Sequence, residues 1–349
     1  MHHIASLKKN LSAFCLVFML LASFTACQKD ILTDELQSAA APNSGIGVDE
    51  RSANGTIVDI AVGNPAFSTL VAAVLKTNSA GLLSRANLNA TVFAPTNDAF
   101  AQLPEPFNNA ANIGSITDKG QILLLGQILK YHVLPGKRNA AQLPNGSYGT
   151  LRTAITAQNN LVFVSRSAAG NVFVNGNTQV VTADVQATNG VIHVVNRVLM
   201  PPTQAIAQIA IANGNFNALV AALNKTGLTN TFFEPGNNLT VFAPTDAAFA
   251  QLPAPLNNAA NIKGIRDAAT INTLRNVLLY HVVAGRVFSA DLREGIQPAT
   301  LLSGSTVTIT LANGAKVKGS GNQTASNIAL TDILAINGVI HAIDQVLLP

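Results

Sequence analysis

Apolar positions along the chain follow two rhythms in succession, and the succession occurs twice. Phe67, Leu70, Val71, Val74 and Leu75 fall at i, i+3, i+4, i+7 and i+8, the spacing of a helix with one face on a core. Thr56 is placed to cap a short helix over 57–62, and Leu82 and Leu83 predict another short helical turn. Ile122, Leu125, Ile128 and Leu129 mark a longer helix running into Tyr131-His132. From Val133 the pattern changes to short β-rich runs (YGTL, LVFVS, NVFVN, TQVVTADV, VIHVVNRVLM) separated by turn residues. Asn145-Gly146, Asn175-Gly176 and Asn189-Gly190 are tight-turn signals. Helices over 206–280 and strands over 307–348 repeat the scheme, so the fold class is α+β in two copies.

The stretch around which each copy is organised is TVFAPTNDAF (91–100), repeated as TVFAPTDAAF (240–249), 149 residues on. Thr91, Val92 and Phe93 favour a buried strand. Pro95 ends it, and Thr96, Asn97 and Asp98 offer side-chain oxygens to cap the helix that opens at Ala99-Phe100. The same offset relates Tyr131-His132 to Tyr280-His281, and fifteen of the twenty residues from 99 to 118 recur from 248. NGVIH recurs from 189 to 337, one residue short of that offset. A period this long, with several anchors, means that a whole domain was duplicated.

The N-terminal residues have a different character. Lys8 and Lys9 precede an apolar run over 11–24, too short for a comfortable membrane span, which predicts a secretory leader over 1–26. Phe24-Thr25-Ala26-Cys27 resembles a bacterial lipobox, which makes Cys27 the acylated N-terminus of the mature chain. Gln28-Lys29-Asp30 resembles the signal that sends lipoproteins of Bacteroidetes-type bacteria to the outer face of the outer membrane. Residues 27–54 read as a flexible tether with a reach of about 30 Å. The expected organisation is therefore leader 1–26, acylated Cys and tether 27–54, and domains over 55–201 and 202–349. Pro201-Pro202 makes the join stiff and short.

Composition narrows the function. The only two cysteines, Cys15 and Cys27, lie in the leader and at the lipid site, so no disulfide is expected in the mature protein. Loss of Lys8 and Lys9 with the leader lowers the formal charge from +4 to +2. With no Trp and 5% aromatic residues, neither a basic footprint nor a stacking platform for nucleic acid is present. No GxSxG elbow, P-loop, GxGxxG or HExxH motif occurs, so neither catalysis nor a cofactor or metal is expected. The four mature-chain histidines, His132, His193, His281 and His341, read as hydrogen-bonded core residues. Period two sets His193 with Val191, Val195 and Leu199, and His341 with Val339, Ile343 and Leu347. Tyr131 and Tyr280 read as buried rings with bonded hydroxyls, and Asp184 and Asp332 as residues stabilising the NG turns that follow them.

At TVFAPTNDAF, Tyr131-His132 and NGVIHVVNRVLMP the chain resembles the fasciclin-like domain family. TVFAPTDAAF, Tyr280-His281 and NGVIHAIDQVLLP carry the same three motifs in the same order. The resemblance implies a small β-wedge of about seven strands packed against several helices in each domain. It also implies an extracellular adhesion or matrix-interaction module. In animal members, adhesion is associated with an Asp-Ile pair just before the second box and with the Tyr-His region. The matching candidates are Asp184-Val185, Asp332-Ile333, Tyr131, His132, Tyr280 and His281. Val185 replaces the Ile, Asn196 the acid found at Asp344, and Ala284 the Pro found at Pro135, so an integrin-like receptor is not carried over. The expectation is a surface-exposed lipoprotein that binds an extracellular protein or glycan. The alternatives are a glycan-binding accessory of a polysaccharide-uptake system, which the low aromatic content argues against, and a hydrolase or metalloenzyme.

Overall fold

A computed structural model describes residues 55–153 and 158–349. The leader, Cys27 and the tether to residue 54 lie outside the described residues. Each copy is a helical layer on one sheet, as the two rhythms require. In the first domain the helices are α1 (Ile57–Gly63), α2 (Ser68–Lys76), α3 (Ala80–Leu83), α4 (Asn97–Ala101), α5 (Ala110–Ser115) and α6 (Lys119–Tyr131). Thr56 forms a full capping box on α1, and Thr96 Oγ1 accepts from Ala99 N to open α4. The sheet contains β1 (Ala90–Pro95), β2 (Val133–Pro135), β3 (Gly146–Gly149), β4 (Leu161–Arg166), β5 (Val172–Val174), β6 (Thr178–Ala187) and β7 (Gly190–Val195). Its order is β2-β1-β7-β6-β5-β4-β3, with β1 and β7 adjacent and parallel inside the sheet. These two strands are the family boxes, and both are buried along their whole length.

The second domain repeats this with α7 (Ile206–Ala212), α8 (Asn217–Thr226), α9 (Thr229–Phe233), α10 (Asp246–Phe249), α11 (Ala259–Gly264) and α12 (Ala268–Tyr280). Its strands are β8 (Leu239–Pro244), β9 (Val282–Ala284), β10 (Thr308–Thr310), β11 (Lys316–Lys318), β12 (Ser326–Ala335) and β13 (Gly338–Ile343), ordered β10-β11-β12-β13-β8-β9. Six strands form here instead of seven. Where β3 stands in the first domain, only isolated bridges occur, Val283 to Thr300 and Ala299 to Thr306.

Three local readings change. Of the three NG pairs, Asn175-Gly176 lies in a hairpin loop, the three residues 175–177 between Val174 and its partner Thr178, with φ of 54° and 83°. Gly190 and Gly338 are instead strand residues. A Cβ on them would lie 2.5 Å from Ala90 O and 2.1 Å from Leu239 O, so glycine lets the parallel strands meet. Gly146 opens β3. Finally, the run VIHVVNRVLM leaves the sheet after Val195: Asn196 N still donates to Gln179 O, but Gln179 N donates to the Asn196 side chain, at Oδ1.

Candidate interaction site

Tyr131-His132 and Tyr280-His281 close the long helices and join them to the sheet. Both tyrosine rings are fully buried. Tyr131 donates its hydroxyl to Leu161 O at 2.6 Å and accepts from Asn175 Nδ2, and burial raises its pKa. Tyr280 donates to Thr306 O at 2.6 Å and accepts from Ser320 N. His132 Nε2 accepts from Leu199 N at 2.9 Å, so Nδ1 carries the proton and donates to Ile128 O. His281 repeats the pattern between Val277 O and Leu347 N. Burial pushes both imidazoles down to about 4, so they are neutral links between helix and sheet.

His193 and His341 hold the opposite tautomer. Nδ1 of each accepts from the backbone N–H of Asp184 or Asp332, and Nε2 donates to Arg138 O or Val287 O. Burial lowers both pKa values. The 4.0 Å approach of His193 Nδ1 to Asp184 Oδ1 therefore involves a neutral ring and a lone pair. Among the described residues no group of three His, Cys, Asp or Glu is placed to hold a metal ion.

Asp184 and Asp332 do not sit in turns. Both lie in a bulge where the pairing with β7 or β13 slips, and both have left-handed backbone, φ 63° and 60°. For a non-glycine residue this conformation costs about 1–3 kcal/mol and persists where its surroundings enforce it. Here the enforcement is visible on both sides of the residue. The backbone N–H is held by the histidine, and the carboxylate caps a short 3-10 turn. Asp184 Oδ1 accepts from Ala140 N at 2.7 Å, while Asp332 accepts from Ser289 N at 2.8 Å and from the Ser289 hydroxyl.

The two bulges differ in their surroundings. The Asp184 side chain is 42% exposed, with Val185 half-buried beside it. Asp332 and Ile333 are buried. The Asn175-Gly176 turn of the first domain packs against Asp332, so that a Cβ on Gly176 would lie 2.5 Å from Asp332 Cγ and 2.7 Å from the Phe288 ring. Around this contact the domains share a small apolar cluster of Phe163, Phe288 and Val339. The Phe163 and Phe288 centroids are 5.8 Å apart, and the Arg286 guanidinium lies 4.3 Å above the Phe163 ring. Arg286 also donates to Gln158 Oε1, Ala335 O and Ile336 O, and burial lowers its pKa to about 10. Ser165 and Asn145 donate to the Asp291 carboxylate, and Arg293 donates to Arg166 O. Packing, beyond the Pro201-Pro202 join, holds the pair together.

Of the eight candidate residues, Asp184 is thus the one whose side chain faces solvent, with Val185 partly so. Sequence reasoning missed Asn189 and Asn337. Asn189 accepts from Ile57 N and donates to Leu83 O and Arg85 O; Asn337 does the same with Ile206 N, Phe232 O and Glu234 O. It also missed Arg286, whose counterpart is Lys137. The signal for Asn was its retention at the same place in both copies.

A model of the fasciclin domain family matches residues 65–201 and again 214–349. The chain is 33% identical over 261 residues to transforming growth factor-beta-induced protein ig-h3 of Sus scrofa, covering 74% of this chain and 34% of that protein. It is 46% identical over 147 residues to protein sll1483 of Synechocystis, covering 42% of this chain and 74% of that one. Periostin of Homo sapiens is 28% identical over 260 residues, 74% of this chain and 28% of that protein. The chain thus spans about a third of the animal proteins. Among solved structures it is similar to a FAS1 domain pair from the insect cell adhesion molecule Fasciclin I, with a TM-score of 0.39 and 19% identity over 82% of this chain and 98% of that one. With both halves matched in tandem, the chain belongs to the fasciclin domain family.

Proposed function

We propose that the chain is a cell-surface lipoprotein that mediates adhesion or matrix contact by non-covalent binding to an extracellular protein or glycan. Acylation at Cys27 holds it at the outer membrane and the 27–54 tether projects the domain pair; many weak copies on one surface gain avidity from effective concentration. No catalytic step is part of this reading. The observation that carries it is the asymmetry of the two bulges. The same strained Asp is used in one copy to seat the other domain, and in the other copy it is left at the surface with Val185. That makes Asp184-Val185 the binding edge. Tyr131 and His132 form the rigid support of the first domain; Tyr280, His281, Asp332 and Ile333 do so in the second. Membership of the fasciclin domain family supports the same reading.

The test is adhesion of cells displaying the full chain to surfaces coated with matrix protein or with polysaccharide. Asp184→Ala is expected to lower adhesion severalfold at unchanged surface level. Equal adhesion by the variant and the parent removes the Asp184 edge, and adhesion to polysaccharide alone selects the glycan-accessory alternative. Protection of the chain from protease added to intact cells overturns the surface exposure, and retention of acyl label by Cys27→Ser overturns acylation at Cys27.

A further inference from the structure

The two domains are not equally well filled. In the second domain a cavity of about 20 Å³ lies between the helices and the central strands, lined by Leu223, Phe232, Val241 and Ile340 among others. The first domain has its counterpart at the same place, with Val74, Leu83, Val92 and Ile192 in the matching positions, and there the volume is about 90 Å³. Two substitutions between the copies account for the difference. Val74 stands where the second domain has Leu223, and Leu83 where it has Phe232. The equivalence of Leu83 and Phe232 is structural as well as sequential, since their carbonyls accept from the matching Asn189 and Asn337 side chains. The larger cavity also continues outward between α1 and α2, where Val62 and Leu75 are 63% and 66% exposed.

We infer that this cavity is a binding site for the hydrocarbon end of an alkyl or fatty-acyl amphiphile. The chemistry of the lining selects the class. Its side chains are aliphatic apart from Phe67, Phe93 and His132. Both His132 nitrogens are committed, one to Ile128 O and the other to Leu199 N, so the ring has no spare partner for water or a polar ligand. A cavity without polar partners stays dry. Size narrows the class further. An engineered apolar cavity of about 150 Å³ takes benzene; this one is smaller and open on one side, so it accepts the last carbons of a chain. The exposed Val62 and Leu75 at the mouth extend the apolar path, and the polar head remains in solvent.

The probe is sodium octanoate, titrated into the full chain carrying Cys27→Ser so that no acyl group is attached at that position. Methyl NMR resonances of Val74, Leu83, Val92 and Ile192 should shift saturably, while those of Leu223, Val241 and Ile340 stay fixed as an internal control. The variant Val74→Leu/Leu83→Phe, which installs the second domain's own residues, should weaken octanoate binding by about tenfold or more because the volume is filled. Val74→Leu alone should weaken it to an intermediate degree, and the control methyls report folding in each variant. The inference is overturned by octanoate shifts spread equally over both domains, by none at millimolar octanoate, or by undiminished binding to the folded filled variant.

Discussion

Phe163→Ala is the sharpest probe of the domain pair. The ring lies on β4, is 9% exposed, and is covered by residues of the other domain: Phe288 at 5.8 Å between centroids and Arg286 at 4.3 Å. Truncating a buried phenylalanine costs about 3–5 kcal/mol, the range that contains its transfer energy and the cavity it leaves. Within that range the aromatic pair accounts for about 0.5–1.5 kcal/mol and the desolvated cation–π contact for up to about 2 kcal/mol. Most of the loss therefore falls on contacts between domains and little on the first domain's own core, which is built on Phe93, Tyr131 and Val164. In differential scanning calorimetry the parent chain should melt as one unit and Phe163→Ala as two, the second domain first. At about 2–4 °C per kcal/mol for units of this size, its transition should fall by on the order of 10 °C. Thr308→Ala is the matched control. Val164 pairs with Val174 as Ile309 pairs with Val317, so Thr308 occupies the Phe163 position in the second sheet. A Phe163→Ala chain that still melts in one transition within a degree or two of the parent would refute the argument.

Other outcomes follow from single groups. His132 and His281 have folded pKa values of about 4 against about 6.5 when unfolded. Between these pH values the unfolded chain binds protons that the folded chain refuses, so stability is full above about pH 6.5 and falls toward pH 4 by about 3 kcal/mol per histidine. A urea midpoint that is flat from pH 7 to pH 4.5 contradicts this. Asn337→Ala leaves Ile206 N and two carbonyls without their partner and should cost about 3 kcal/mol or more, read as a lower midpoint of the unfolding transition. Asp332→Ala should destabilise more than Asp184→Ala, because the former removes a buried acceptor of two bonds and the latter a half-exposed one. Val74→Leu/Leu83→Phe should raise the melting temperature of the chain by a few degrees, as cavity filling commonly adds about 0.5–2 kcal/mol.

Much of the fold could be read from the chain because its signals are local and doubled. The i, i+3, i+4 rows, the Thr96 cap and the long helix up to Tyr131 each depend on a few neighbouring residues and appear where expected, except that Phe67 sits in a 3-10 turn just before its helix and Leu75 is exposed. The bulges could not be read in this way. In TQVVTADV the alternation continues past Asp184, and nothing in the pattern announces a left-handed aspartate held by a histidine nine residues later. Asn189 looked like a turn residue because NG usually is one; its work is done by a side chain that reaches over 100 residues back along the chain. The interface and the cavity were hidden for a different reason. Both come from positions where the copies disagree, and matching the copies draws attention to where they agree.

Those disagreements make the contact between the two copies one that their outer faces do not repeat. A domain that docks its β4 face on the next domain's bulge would be able to repeat that contact indefinitely if both copies carried both surfaces. They do not. The docking face of the second domain offers Arg286, Phe288 and Ser289; the same positions in the first domain are Lys137, Asn139 and Ala140, and its bulge stays exposed. The complementary Phe163 of the first domain becomes Thr308 in the second, beside Lys316 and Lys318 on the neighbouring strand. At one surface an aromatic ring and a stacking cation are gone, and at the other the apolar counterpart is gone, so a third domain would meet polar groups on either side. Duplication thus left one complementary contact, used once, and freed the first domain's Asp184 bulge and its less filled core from the work of holding the chain together.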